Sequence, residues 1–351
     1  MGKDKNRSLP DGLDEHPPQW HIDKLVEFTK FKKQVHEPSP HLAMVGYMSR
    51  NETIPIKVWM IGCYGATYCL PSAQMLWTKL PWQHISAYPE EVMPFLTEHW
   101  KGVVTRTERR CVRTPNKMNR CLTSYINWAN VEFPKLQKLD SRLFTPVEYY
   151  DKVWDSVNSI QFVGKYIAIR IIEGLRRYCD IPAQLYDIRS VGGWSPRKAL
   201  VYFFPEHHKL LLEESRAGAD VSQLLSNKLL EIVQEELPDV NYYVIAAMLC
   251  EYREVFERRH QYAGWTIDQE PLLYDKVKAY WGDELDTNLF HETREALFNK
   301  ETLGEFGGWN GTRWDLTNTL RDYGYNWNDM EYDYGKTHQS GDFANPVRRL
   351  K

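Results

Sequence analysis

SIQFVGKYIAIRIIEGL, residues 159–175, reads as the end of one helix, a tight turn and the start of a second helix. Val163-Gly164 sits where the chain must turn, and Ala168 leaves room for the second helix to pack closely. The first turn of that helix has N–H groups without intrahelical acceptors and carries the positive end of the helix dipole. Both suit an anion such as a phosphate. An ordinary helical hairpin with a glycine C-cap explains the same residues, and that reading stays open.

A chain of 351 residues with 42% hydrophobic content can bury a large core. Val58 to Thr78 is uncharged, but Gly62, Gly65, Thr67, Pro71, Ser72 and Gln74 interrupt it, so it reads as a buried element and no membrane contact is expected. The first 18 residues read as a flexible polar tail with no signal-peptide core. Six cysteines without a CxxC pair indicate reduced thiols and a cytoplasmic protein, and no metal scaffold is expected. No P-loop or dinucleotide fingerprint occurs, which argues against a nucleotide kinase.

The net charge of −3 divides unevenly, +8 over residues 1–210 and −11 over residues 211–351. Lys101, Arg106, Arg109, Arg110, Arg113, Lys117 and Arg120 crowd one segment with a single acid, Glu108, and with short threonine and asparagine side chains between them. A solvated face normally mixes both signs. Cations interleaved with small hydrogen-bonding groups point to phosphate contact.

Apolar periodicity predicts an all-α fold. Helices are expected over 20–33, from Pro40 through Met48, over 54–80 in two pieces divided at Pro71, and over 90–100, 117–131, 147–159 and 165–178. Further helices are expected over 222–237, 240–259, 292–298 and 311–323, with a loop from Asp187 to Pro196. The organisation expected is a tail over 1–18, one two-lobed helical domain over 19–322 with the hairpin near 153–178, and a poorly ordered or packed tail over 323–351. Glu251 and Glu254 read as a salt-bridged helix face. His207-His208 are adjacent and point apart, which does not suit a shared metal.

The hairpin resembles the helix–hairpin–helix of DNA glycosylases, usually LPGVGxxTA. Gln161 and Phe162 stand here for the proline and first glycine, and Ile167 for the threonine. With it stand HIDKLVEFTKF, EPSPHLAMVGYMSR, VWMIGCYGATYCLPSAQMLW and RRCVRTPNKMNRCL. Together, over about residues 20–327, these resemble the bacteriophage amino acid:DNA transferases, relatives of the α-glutamyl/putrescinyl thymine pyrophosphorylases. The resemblance implies a glycosylase-like helix–hairpin–helix fold and work on hypermodified thymidine in the infected host's cytoplasm. A pyrophosphorylated 5-hydroxymethyl-deoxyuridine in double-stranded phage DNA would exchange its pyrophosphate for an amine, an amino acid or a polyamine. Companion enzymes of the modification pathway are then further partners. A true base-excising glycosylase is the alternative.

Such a transfer needs cations at the departing pyrophosphate, a carboxylate base for the incoming ammonium and a pocket for an extruded base. In glycosylases a catalytic Asp follows the hairpin by roughly twenty positions, and Asp187 lies 23 residues after Gly164. Asp187 is therefore the expected catalytic carboxylate. Arg109, Arg110, Arg113, Arg189, Tyr64 and Thr67 are candidates for substrate and pyrophosphate. Val163, Gly164, Lys165, Tyr166, Lys117 and Arg120 are candidates for DNA. Tyr166 occupies the position at which lyase-type glycosylases carry a lysine, and a tyrosine forms no imine, so Schiff-base chemistry is disfavoured. No cofactor is expected, and Mg2+ assistance to the pyrophosphate stays open.

Overall fold

The computed structural model describes residues 16–34, 39–186, 194–256, 265–298, 330–332 and 347–349. The chain is all-α. Its helices are α1 (Pro18–Gln34), α2 (Pro40–Met48), α3 (Ile54–Thr67), α4 (Leu70–Lys79), α5 (Trp82–Ile85), α6 (Val92–His99), α7 (Pro115–Val131) and α8 (Phe133–Gln137). They continue as α9 (Pro146–Asn158), α10 (Lys165–Tyr178), α11 (Trp194–Phe203), α12 (His208–Leu211), α13 (Arg216–Glu236), α14 (Tyr242–Phe256), α15 (Trp265–Trp281) and α16 (Thr287–Leu297). Two short strands, Met330–Tyr332 and Val347–Arg349, pair antiparallel. Among the described residues no helix is long and apolar enough to cross a membrane.

Most boundaries follow local chemistry. Thr145 caps α9 by accepting from Glu148 N, and the Glu148 carboxylate returns to Thr145 N, a capping box. Pro146 takes the first helical position, where its missing N–H costs nothing. The uncharged stretch divides three residues before Pro71, where Tyr68 turns left-handed at φ 53° and ends α3. Pro71 then lies in the first turn of α4. Trp194 to Pro196, expected in a loop, instead begin α11. Helix α15 was not expected at all, because Pro271 inside it reads as a breaker. The expected 311–323 helix lies outside the described residues.

Two apolar cores result. In the larger, α3 is buried throughout Val58–Thr67 and packs against α2, α4, α7 and α10. Tyr125 lies so close to α3 that a Cβ on Gly62 would come within 2.1 Å of its ring, and its hydroxyl donates to Val58 O. Helix α10 is buried from Ile167 to Leu175, Ala168 included. Its Glu173 is enclosed and pairs with Arg176 and Arg177 one turn on. The second core joins α1, α11, α13 and α14 through Leu25, Phe28, Leu200, Tyr202, Leu229 and Met248, among others. Tyr243, at the start of α14, packs into the larger core, so the two cores meet beside α10.

Candidate functional site

The hairpin places its turn at Ser159–Gly164 between α9 and α10. Phe162 takes the left-handed backbone, at φ 61°. Gly164, the N-cap of α10, is extended at φ −82° and exposed. Val163 is buried, whereas Lys165 and Tyr166 stand in the exposed first turn of α10, with Tyr166 41% exposed. Two exposed cations of α7, Lys117 and Arg120, complete this rim. Arg120 donates to the Gln161 amide oxygen at 3.1 Å and lies over the Phe162 ring. The rim joins a helix N-terminus to three cations, an arrangement that suits a phosphate.

Other members of the basic segment turn inward. Arg109 is 1% exposed and donates from Nε to Ala66 O at 2.9 Å and from Nη1 to Phe162 O at 2.9 Å. Its guanidinium therefore ties the end of α3 to the hairpin turn, which corrects its expected role as a pyrophosphate ligand. Thr67 is likewise used by the fold: its buried hydroxyl donates to Cys63 O and Cys69 O. Arg113 is half-buried near the start of α7. Asp187, Arg189 and the Arg110 side chain lie outside the described residues.

Arg106, 6% exposed, points into the molecule and donates to Glu270 Oε1 at 3.0 Å. Glu270, on α15, is completely buried. His41 of α2 brings Nε2 within 2.7 Å of the same Oε1 but lacks the alignment of a hydrogen bond. On its other side, His41 Nδ1 lies 3.1 Å from the Tyr64 hydroxyl. Tyr64 packs against Tyr68 with ring centroids 5.2 Å apart, and the Tyr68 and Tyr166 hydroxyls are 2.6 Å apart. Tyr166 in turn accepts from Arg170 Nη2 at 3.2 Å. Arg170 Nη1 donates to Ser39 Oγ at 2.6 Å and to the Tyr243 hydroxyl. Side chains from α2, α3, the 103–106 segment, α10, α14 and α15 thus form one continuous polar cluster. It runs from the exposed hairpin rim to a buried carboxylate.

The protonation states follow from burial. Desolvation pushes the Tyr64 phenol well above its ordinary value, with Tyr68 adding to the rise, so Tyr64 stays a neutral donor. Cys69, beside the cluster, is pushed up to about 12 by burial and by Glu270, which removes it as a thiolate nucleophile. Burial opposes the Arg170 cation, but the phenols of Tyr166, Tyr243 and Tyr68 outweigh it, and the guanidinium stays charged. Among the described residues no group of His, Cys, Asp and Glu could hold a metal ion. His208 Nδ1 sits at Pro205 O instead.

Of the residues the sequence nominated, the structure brings Tyr64 and Tyr166 into this cluster, and leaves Gly164 and Lys165 exposed at the hairpin and Lys117 and Arg120 exposed on α7. The sequence reading did not single out His41, Arg170, Tyr243 or Glu270, it named Tyr68 only among the aromatics available to stack on a base, and it placed Arg106 only in a basic run. A search for chemistry-bearing residues inside the EPSPHLAMVGYMSR and GCYGATYC blocks would have found His41 and Tyr68; no local pattern marks Glu270. The family model for amino acid:DNA transferases matches residues 38–261, more than half of the chain. No curated protein and no solved structure matches it.

Proposed function

The chain belongs to the amino acid:DNA transferase family, and from that premise we propose that it works on 5-pyrophosphorylated 5-hydroxymethyl-deoxyuridine in double-stranded phage DNA. An amino acid's amino group replaces the pyrophosphate, in the host cytoplasm and after a separate kinase has prepared the base. One observation carries this reading. The tyrosine path Tyr166–Tyr68–Tyr64 leads from the phosphate-suited N-terminus of α10 to the buried Glu270–His41–Arg106 group. A nucleotide drawn out of the duplex at the hairpin would meet aromatic faces first and an ionic cluster behind them, as base-extruding enzymes require.

Duplex phosphates dock on Gly164, Lys165, Lys117 and Arg120, with Val163 setting the turn. The hairpin acts here as a helix–hairpin–helix within a glycosylase-like fold. Pyrophosphate leaves as a polyanion. Arg113, Arg110 and Arg189 are its proposed cationic partners, and Mg2+ can share that charge. The ammonium must lose a proton before its nitrogen can attack, and Asp187 is the carboxylate that the sequence nominates for this.

The test is a nucleoside mass analysis of pyrophosphorylated 5-hydroxymethyl-deoxyuridine DNA incubated with the protein and a pool of amines. A new nucleoside carrying one amine is expected. Abasic sites with a released base would make the protein a glycosylase instead.

A further inference from the structure

We infer that Glu270 is the binding site and proton acceptor for the amino group of the incoming amino acid, and that Arg106 receives its carboxylate. The inference rests on the transferase reading and reassigns to Glu270 the task for which the sequence nominates Asp187. Glu270 is fully buried, and among the described residues its Oε2 has no hydrogen-bond partner. Both neighbours, Arg106 Nη2 and His41 Nε2, lie against Oε1. An enclosed carboxylate oxygen without a donor is costly and rare, and it persists where a ligand supplies the missing donor. The group that Oε2 calls for is a cationic N–H, because a carboxylate binds charged donors most strongly.

The neighbours decide which amine fits. An ammonium seated on Oε2 places whatever is bonded to its α-carbon near the Arg106 guanidinium, which attracts an α-carboxylate. A polyamine brings a second ammonium to the same place, where Arg106 repels it. Arg170, buried in the same cluster and charged, strengthens that bias. One carboxylate beside guanidinium groups is therefore a receptor for a zwitterion.

In the transfer step one ammonium proton passes to Glu270 Oε2, and the freed nitrogen lone pair forms the C–N bond to the base's exocyclic methylene. The C–O bond to pyrophosphate breaks as the new bond forms, and its electron pair leaves with the pyrophosphate. The resulting secondary ammonium releases its remaining extra proton to solvent with the product.

The test uses the full chain, pyrophosphorylated 5-hydroxymethyl-deoxyuridine DNA, and glycine, glutamate and putrescine supplied separately. Wild type is expected to transfer at least one of the two amino acids and to leave putrescine untouched. Glu270→Gln should lower transfer by about 100-fold or more, the usual worth of a proton acceptor, while DNA affinity stays unchanged. Transfer by Glu270→Gln at the wild-type rate overturns the assignment, and transfer of putrescine as readily as the amino acids overturns the role given to Arg106. Should Glu270→Gln fail to fold, deuterium exchange on wild type decides. The transferred amino acid must protect 40–48 and 265–281, and absence of protection there overturns the proposal. Abasic sites made by wild type would sink the transferase reading itself, an outcome distinct from any of these.

Discussion

A methyl group added to Gly164 would meet no atom of the protein within 4 Å, and the residue's φ of −82° is open to any amino acid. Among the described residues the fold therefore has no need of a glycine at this N-cap, which leaves the backbone open to a docked phosphate. Gly164→Ala should leave stability within about 1 kcal/mol, since a weaker cap and a less flexible unfolded chain nearly offset. Duplex DNA affinity should fall about three- to tenfold, the worth of one hydrogen bond to phosphate. Unchanged affinity in a fluorescence titration would remove Gly164 from the interface. Arg109 behaves in the opposite way. Arg109→Ala strips donors from the carbonyls of Ala66, two residues before left-handed Tyr68, and of left-handed Phe162. A loss of about 2–4 kcal/mol is expected from the urea midpoint, as for other buried hydrogen-bond networks. A loss below about 0.5 kcal/mol would contradict the strut role.

The basic segment shows why a run of charge is not a surface. Val103, Val104, Thr105 and Arg106 are buried, Arg109 closes the hairpin, and the segment's exposed cations among the described side chains are Lys101 ahead of this stretch and Lys117 and Arg120 on α7. Lys117→Ala and Arg120→Ala should each reduce the slope of log affinity against log salt by about 1, the signature of one phosphate contact. Arg106→Ala should leave that slope alone; a reduction of similar size would place Arg106 at the DNA. The sequence made the hairpin legible because turn and apolar spacing are local: α10 spans Lys165–Tyr178, as the pattern predicts. It hid α15, because Pro271 removes a ladder donor at a cost of roughly 3 kcal/mol and reads as an end. The helix forms regardless. Leu273, Tyr274, Val277 and Trp281 are buried on it, Tyr274 donates to the Gln74 side chain, and the Trp281 indole donates to Gly102 O. Tertiary packing of this kind routinely outweighs propensity. Glu270 was out of reach for the same reason, since its meaning depends on a helix that local rules reject.

At the scale of the whole chain, the polar cluster stands where the two cores meet, with Tyr243 of α14 hydrogen-bonded to Ser39 and Arg170. Anything that loosens the second core should therefore reach the site. One such handle is His21 of α1, completely buried in that core with Nδ1 at 2.8 Å from the Tyr252 hydroxyl. Burial, with a smaller contribution from His16, lowers its pKa from 6.5 to about 4. Between those two values the unfolded chain binds a proton that the folded chain refuses, so stability rises with pH across this window. Conversely, it is lost as pH falls from 6.5 toward 4 and levels off below, for a total on the order of 3 kcal/mol from this residue. Urea midpoints between pH 7 and pH 4 measure it. His21→Phe forfeits the bond to Tyr252 and lowers stability at neutral pH, but it should flatten the acid side of the profile. If His21→Phe and wild type lost stability in parallel as the pH fell, the acid sensitivity would lie elsewhere, and α1 would not be the element that couples pH to the site.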